Sequence, residues 1–158
     1  MLKVKKQKNQ LGNNGLFGLI AVLFLLVLDQ IIKYLAATKN IFFDFKIFDL
    51  VFVKNTGAIW GSFQDGNTIF IWLSLIAIGI LMFSYNSVPK KACFFLWLLF
   101  GGIISNLIDR LFRGFVVDFI DFRFWPVFNI ADAMIIIGII GLIFFIWKDD
   151  NSKKIKKN

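Results

Sequence analysis

Four long apolar runs dominate this chain and leave few folds open to it. Residues 16–28 carry no charge, and the run continues through Asp29 and Lys33 to about Ala37. Residues 67–88 are uncharged throughout. Residues 92–108 end at Asp109 and Arg110, and residues 130–147 are interrupted only by Asp132. Each run is close to the ~20 residues that carry a helix across ~30 Å of hydrocarbon. The runs are continuous, whereas a closed β-barrel requires alternation. The expected fold is therefore an α-helical integral membrane protein. Four transmembrane helices fall at about 16–37, 67–88, 92–112 and 130–147, within a single membrane-embedded domain over 1–158. The segment at about 38–66 mixes β-formers with Asp44 and Asp49 and reads as a small β-rich extracytoplasmic sheet, with strand signal from Ile41 and Phe42 to Val53.

Lysine and arginine set the orientation. Lys3, Lys5, Lys6 and Lys8 precede the first span, Lys90 and Lys91 join the second to the third, and Lys148, Lys153, Lys154, Lys156 and Lys157 follow the fourth. The other two connections hold only Lys39, Lys46 and Lys54, and Arg113 and Arg123. Basic residues accumulate on the cytoplasmic side, so both termini are expected there. The same rule explains the net charge of +8 more simply than nucleic acid does, and no nucleic-acid partner is expected. A cleaved signal peptide ending near Ala36-Ala37 is the competing reading of the N-terminus. It would put Asp29 and Lys33 inside the leader and reverse the lysine balance. Both terminal tails are expected to be disordered.

Missing residue types narrow the chemistry. There is no His, every acid is Asp, and the one cysteine, Cys93, sits in an apolar run. Ser-His and Cys-His pairs are excluded, as are disulfides within the chain and a cysteine zinc cluster. No metal and no cofactor are expected.

The charges inside the spans share one depth. At ~1.5 Å per residue, Asp29 lies ~20 Å above the cytoplasmic face, Lys33 and Asp109 ~26 Å, and Asp132 ~23 Å. A charge at the bilayer centre costs at least ~2.5–3.5 kcal/mol, so such groups pair or serve a function. Asp29 and Lys33 are spaced i,i+4, acid before base, which reads first as a structural ion pair. Gly102, Asn106 and Arg110 form one helical row, and Gly101, Ser105 and Asp109 the next. Small residues below polar ones suit a close helix contact capped by hydrogen bonds. Asp109 and Arg110 read as structural, with Arg110 bracing carboxylates or a loop. Asn55-Thr56-Gly57 reads equally as a turn. Asn129 is a candidate N-cap for the fourth span.

Asp118 and Asp132 stand out as a working pair. Asp118 lies in the short outer loop between spans three and four, flanked by apolar residues, and Pro126 helps turn the chain back toward Asp132. Two carboxylates in one site at a membrane boundary hold a single proton between them. The ionised one then accepts a proton from water while its partner polarises a carbonyl.

Five strings extend this reading: Asp29-Gln30-Ile31-Ile32-Lys33, Asn55-Thr56-Gly57-Ala58-Ile59-Trp60, residues 101–110 from Gly101-Gly102 to Asp109-Arg110, Val116-Val117-Asp118-Phe119, and Phe128-Asn129-Ile130-Ala131-Asp132. In this order, on four spans, they resemble the lipoprotein signal peptidases, the aspartyl signal peptidase II family of bacterial membranes. The resemblance implies a catalytic dyad at Asp118 and Asp132. It implies substrate-binding or dyad-positioning roles for Asn129, Asn106, Arg110, Asn55, Gly57, Asp29 and Lys33. Asp109 and Gln30 would be polar support. It further implies a cradle-like outer sheet and a diacylglyceryl-modified prolipoprotein substrate cut before its lipidated Cys. Sensitivity to globomycin-type cyclic peptides, and a place in the bacterial cytoplasmic membrane with the site near the outer leaflet, follow from the same likeness. Membrane lipid is the other expected partner, and the chain is expected to be a monomer. Ala133 departs from the family, which often has Ser there. The competing classes are an ion or proton transporter, whose charges tend toward the midplane and broken helices, and a non-catalytic assembly factor.

Overall fold

Uninterrupted apolar stretches of this length satisfy their backbone groups only as helices when water is absent, and the computed structural model is built that way. It describes residues 13–39, 43–57 and 66–155. Ile41 and Phe42, Ala58-Ile59-Trp60, Lys3, Lys5, Lys6 and Lys8 with most of the N-terminal tail, and Lys156 and Lys157 lie outside the described residues. The helices are α1 (Asn13–Lys39), α2 (Gly66–Ser84), α3 (Cys93–Phe112) and α4 (Ile130–Ile155). All four are long and apolar enough to cross a membrane.

Two boundaries depart from the expectation. α2 stops at Ser84 and gives way to a 3-10 turn at Tyr85–Ser87. Val88 is extended (ψ 132°), because the residue before a proline, here Pro89, is pushed out of the helical region. α4 runs beyond Trp147 to Ile155. The C-terminal tail, expected to be disordered, is therefore helical to Ile155, and an i,i+4 pair, Lys153 Nζ to Asp149 Oδ2 at 2.6 Å, ties one of its turns.

α1, α3 and α4 form the packed part of the bundle. α4 lies closely along α3 through glycines. A Cβ on Gly102 would stand 2.5 Å from the Ala131 carbonyl oxygen, and one on Gly138 2.7 Å from the Leu99 nitrogen. Val22, Leu98 and Met134 join the three helices, and Ala92, Leu96, Leu99 and Leu142 continue the core below. α2 packs chiefly on α3 and leaves Trp72, Ile76, Ile80 and Phe83 exposed, an apolar surface suited to lipid.

The sheet corrects the sequence reading. It has three antiparallel strands in the order β1 (Phe43–Asp44), β2 (Asp49–Asn55) and β3 (Val116–Asp121). β3 comes from the connection taken as a short loop. Val53 pairs with Asp118 and Asn55 with Val116, with a register shift between Leu50 and Val53 that places an extra residue in β2. Beyond β3 the chain folds back, and Phe128 bridges Ile120. Arg123, at φ 65°, sits in this return. Its guanidinium binds Asp44 (2.6 Å) and Asp49 (2.8 Å), which holds Asp49 below the usual carboxylate range and fastens the β1–β2 turn to the chain leading into α4. Val117 and Phe119 pack with Ala36, so the sheet rests on the end of α1.

Candidate active site

Local chemistry at the start of α4 fixes one aspartate. Asn129 precedes the helix and caps it. Its Oδ1 accepts from the Asp132 backbone N at 2.9 Å, while Asp132 Oδ2 accepts from the Asn129 backbone N at 3.2 Å. This reciprocal box satisfies amides that a helix start leaves unpaired. It also immobilises the Asp132 carboxylate. The other Asp132 oxygen accepts from Asn106 Nδ2 at 2.7 Å, across the glycine contact with α3.

The sheet fixes the other aspartate. On β3, Asp118 is almost fully buried, and each of its oxygens holds one amide: Asn129 Nδ2 at 2.7 Å and Asn55 Nδ2 at 2.8 Å. Asn55 in turn accepts from Gly57 N at 2.8 Å, an Asx turn that pins its amide. Gly57 is at φ 89°, and a Cβ there would stand 2.3 Å from the Phe70 ring. Both the conformation and the space therefore require glycine.

Asn129 thus touches both carboxylates, one through its side chain and one through its backbone. Among the described residues, each carboxylate meets two neutral amide donors and no cation at contact distance. Burial is the main force on Asp118 and raises it to about 6, with the Asp132 charge adding to the rise and the Asn55 and Asn129 amides opposing it.

A separate buried network braces this pair from behind. Lys33 Nζ reaches Asp29 Oδ2 at 2.8 Å, Asn106 Oδ1 at 2.8 Å and Asp109 Oδ2 at 3.1 Å, so its three protons have three acceptors. Asp29 accepts from Ser105 Oγ at 2.7 Å and, on its other oxygen, from Ala131 N at 3.2 Å. Asp109 accepts from Gln30 Nε2 at 3.0 Å, from Val117 N at 3.1 Å and from the Arg113 guanidinium. Asp29 and Asp109 are balanced by Lys33 and Arg113, so the network is neutral. Removing one partner from such a set costs about 3–5 kcal/mol because it strands a buried charge.

The structure brings together all but one of the residues singled out from the sequence. Asp118, Asp132, Asn129, Asn106 and Asn55 are in mutual hydrogen-bond contact, Asp29, Lys33, Asp109 and Gln30 lie one layer behind, and Gly57 shapes the turn. Arg110 forms no ion pair among the described residues, although the charges of Asp132, Asp109 and Asp118 act on it. Its guanidinium lies over the Phe70 ring, 5.0 Å from the centroid, its backbone carbonyl accepts from Asn67 Nδ2 at 3.2 Å, and its buried Nε has no hydrogen-bond partner. The cation on Asp109 is instead Arg113, one helical turn later. The i,i+4 spacing of Asp109 and Arg113 was the signal for it. Among the described residues, no group of three or more His, Cys, Asp or Glu is arranged to hold a metal.

The family model described as signal peptidase (SPase) II matches residues 21–148. The lipoprotein signal peptidase of Halothermothrix orenii is 36% identical over 138 residues, covering 83% of this chain and 95% of that protein. That of Caldanaerobacter subterraneus subsp. tengcongensis is 39% identical over 135 residues, covering 79% and 92%. A bacterial membrane enzyme solved by the in meso method at 2.3 Å resolution superposes with a TM-score of 0.77 at 30% identity, covering 87% of this chain and 91% of its own.

Proposed function

The chain belongs to the signal peptidase II family, and on that premise we propose that it is a membrane aspartyl endopeptidase acting through Asp118 and Asp132. Its substrate is a diacylglyceryl-modified prolipoprotein, and the bond cut lies just before the lipidated Cys. The observation that carries this reading is the bridge at Asn129, which holds two carboxylates of different elements in one neutral setting.

In that setting the pair keeps one proton. A water between the carboxylates loses a proton to the ionised member as its oxygen attacks the scissile carbonyl carbon. The protonated member hydrogen-bonds the carbonyl oxygen as it becomes negative. Collapse of the tetrahedral intermediate breaks the C–N bond, and the amine leaves with a proton from the dyad. Neither step draws on a metal or cofactor. The neutral network behind the dyad supports this division of labour: Lys33 is joined to Asp132 by hydrogen bonds through Asn106, and its charge acts on both aspartates without forming an ion pair with either.

The site belongs at the outer surface of the bacterial cytoplasmic membrane, with both termini inside. The lipid of the substrate would place the scissile bond at that boundary.

Asp118→Asn and Asp132→Asn, each assayed on a purified lipidated precursor, should remain folded and lose roughly 10²–10⁴-fold in cleavage rate. Chelator should leave the wild-type rate unchanged. Normal processing by either variant would remove the dyad, and loss of activity on chelation would call for a metal.

A further inference from the structure

We propose that the end of the bundle remote from the dyad carries a second binding site, for the phosphate-bearing headgroup of an anionic phospholipid. A cavity of about 300 Å³ lies there, lined by Pro89, Lys90, Lys91, Phe145, Lys148, Asp149 and Ser152. Lys148 is sixteen residues along α4 from Asp132, or ~24 Å. The two sites therefore lie at opposite faces of the bilayer, and this inference does not depend on the function proposed for the first.

Three observations specify the ligand. The first is charge. Lys90 and Lys91 come from the α2–α3 connection and Lys148 from α4, and none of the three has a carboxylate within salt-bridge distance among the described residues. The one acid in the lining, Asp149, is bound by Lys153 at 2.6 Å. Lysines gathered without counter-charge repel one another, and an anion relieves that repulsion.

The second is construction. The connection is set by Pro89, whose carbonyl accepts from Ala92 N at 2.8 Å in the 3-10 turn Lys90–Ala92. Ser152 Oγ donates to the Lys148 carbonyl at 2.8 Å. Phe145 in the wall stacks on Phe95 with centroids 5.4 Å apart. These contacts shape the cavity before any ligand enters.

The third is position. The cavity opens where the apolar spans end, with Trp147 largely exposed beside it. A ligand with a charged head and apolar tails matches both parts, whereas free phosphate would use only the lysines. Basic pockets between spans are suited to anionic headgroups.

The test uses the full-length protein in neutral detergent, titrated with dihexanoyl phosphatidylglycerol, dihexanoyl phosphatidylcholine or inorganic phosphate. Thermal stabilisation and native mass spectrometry give the readout. Only phosphatidylglycerol should stabilise saturably at low concentration. The triple variant Lys90→Gln, Lys91→Gln, Lys148→Gln should bind it about 100-fold more weakly, at about fivefold per lysine. Ser152→Trp, which fills the cavity and keeps the charge, should also lose saturable binding. Lys154→Gln, Lys156→Gln, Lys157→Gln removes equal charge from the end of the sequence and should bind within about fivefold of wild type. Equal weakening by both triple variants, or wild-type binding by Ser152→Trp, would mean diffuse surface attraction and overturn the site. Stabilisation by inorganic phosphate at the same concentration would overturn the lipid assignment.

Discussion

Asp118 is the member of the proposed dyad whose titration can be followed. Its carboxyl is raised to about 6 because burial outweighs the two amides that favour its charged form. A dyad that works with one shared proton loses that proton as the pH rises through this step. The expected kcat/KM profile therefore falls on the alkaline side with an apparent pKa near 6. The corresponding limb of kcat lies higher, because bound substrate removes more water from the pair. Asn55 offers a way to move the limb. Its amide donates to Asp118 Oδ2 and lowers the carboxyl, so Asn55→Ala should shift the limb to higher pH by about one unit. Rate-against-pH curves for wild type and variant decide this. A limb that stays in place or moves to lower pH contradicts the assignment of that step to Asp118.

At the scale of elements, the site depends on how closely α4 lies against α3. A methyl on Gly102 would strike the carbonyl of Ala131, the residue before Asp132. A methyl on Gly138 would strike the Leu99 backbone, about 9 Å further along α4 from Asp132. Both substitutions to Ala should lower thermal stability by about 1–3 kcal/mol. Only Gly102→Ala should also lower kcat, by about 10-fold or more, since it shifts the turn that carries the carboxylate. Gly138→Ala should stay within about threefold. Equal kcat for the two variants would detach the glycine contact from the geometry of the dyad. These glycine rows, the i,i+4 ion pair of Asp29 and Lys33 and the cap at Asn129 were legible in the sequence, because helical spacing converts directly into contact. β3 was not. Val116-Val117-Asp118-Phe119 is buried on both faces, between β2 and the helices, so it lacks the alternation that marks a half-buried strand. Its partner β2 lies more than sixty residues earlier, and no local pattern announces that pairing. Arg113 went unnoticed for a related reason: its partner Asp109 stands one helical turn earlier, and only the i,i+4 spacing marks the pair.

For the whole molecule, the proposed function requires the dyad and the lysine-rich ends to lie on opposite sides of one bilayer. Four helices of spanning length should return the chain to its starting side. The sheet, Asp118 and Asp132 gather at one end of the bundle, while Lys90, Lys91 and Lys148 gather at the other. Basic residues resist transfer across the membrane, so the lysine end should face the cytoplasm and the sheet the exterior. Single cysteines placed in a Cys93→Ala background test the arrangement. Ile47, in the β1–β2 turn, and Phe124, beyond β3, are largely exposed, with 75% and 83% of their surface open. Asn86, in the turn after α2, is exposed at the opposite end. In intact spheroplasts a membrane-impermeant maleimide should label Ile47→Cys and Phe124→Cys within minutes and Asn86→Cys only after permeabilisation. The reverse pattern would invert the orientation and put the dyad on the wrong side for a secreted precursor. Labelling of all three from outside would break the four-span arrangement itself, because Asn86 is separated from both outer positions by a full span.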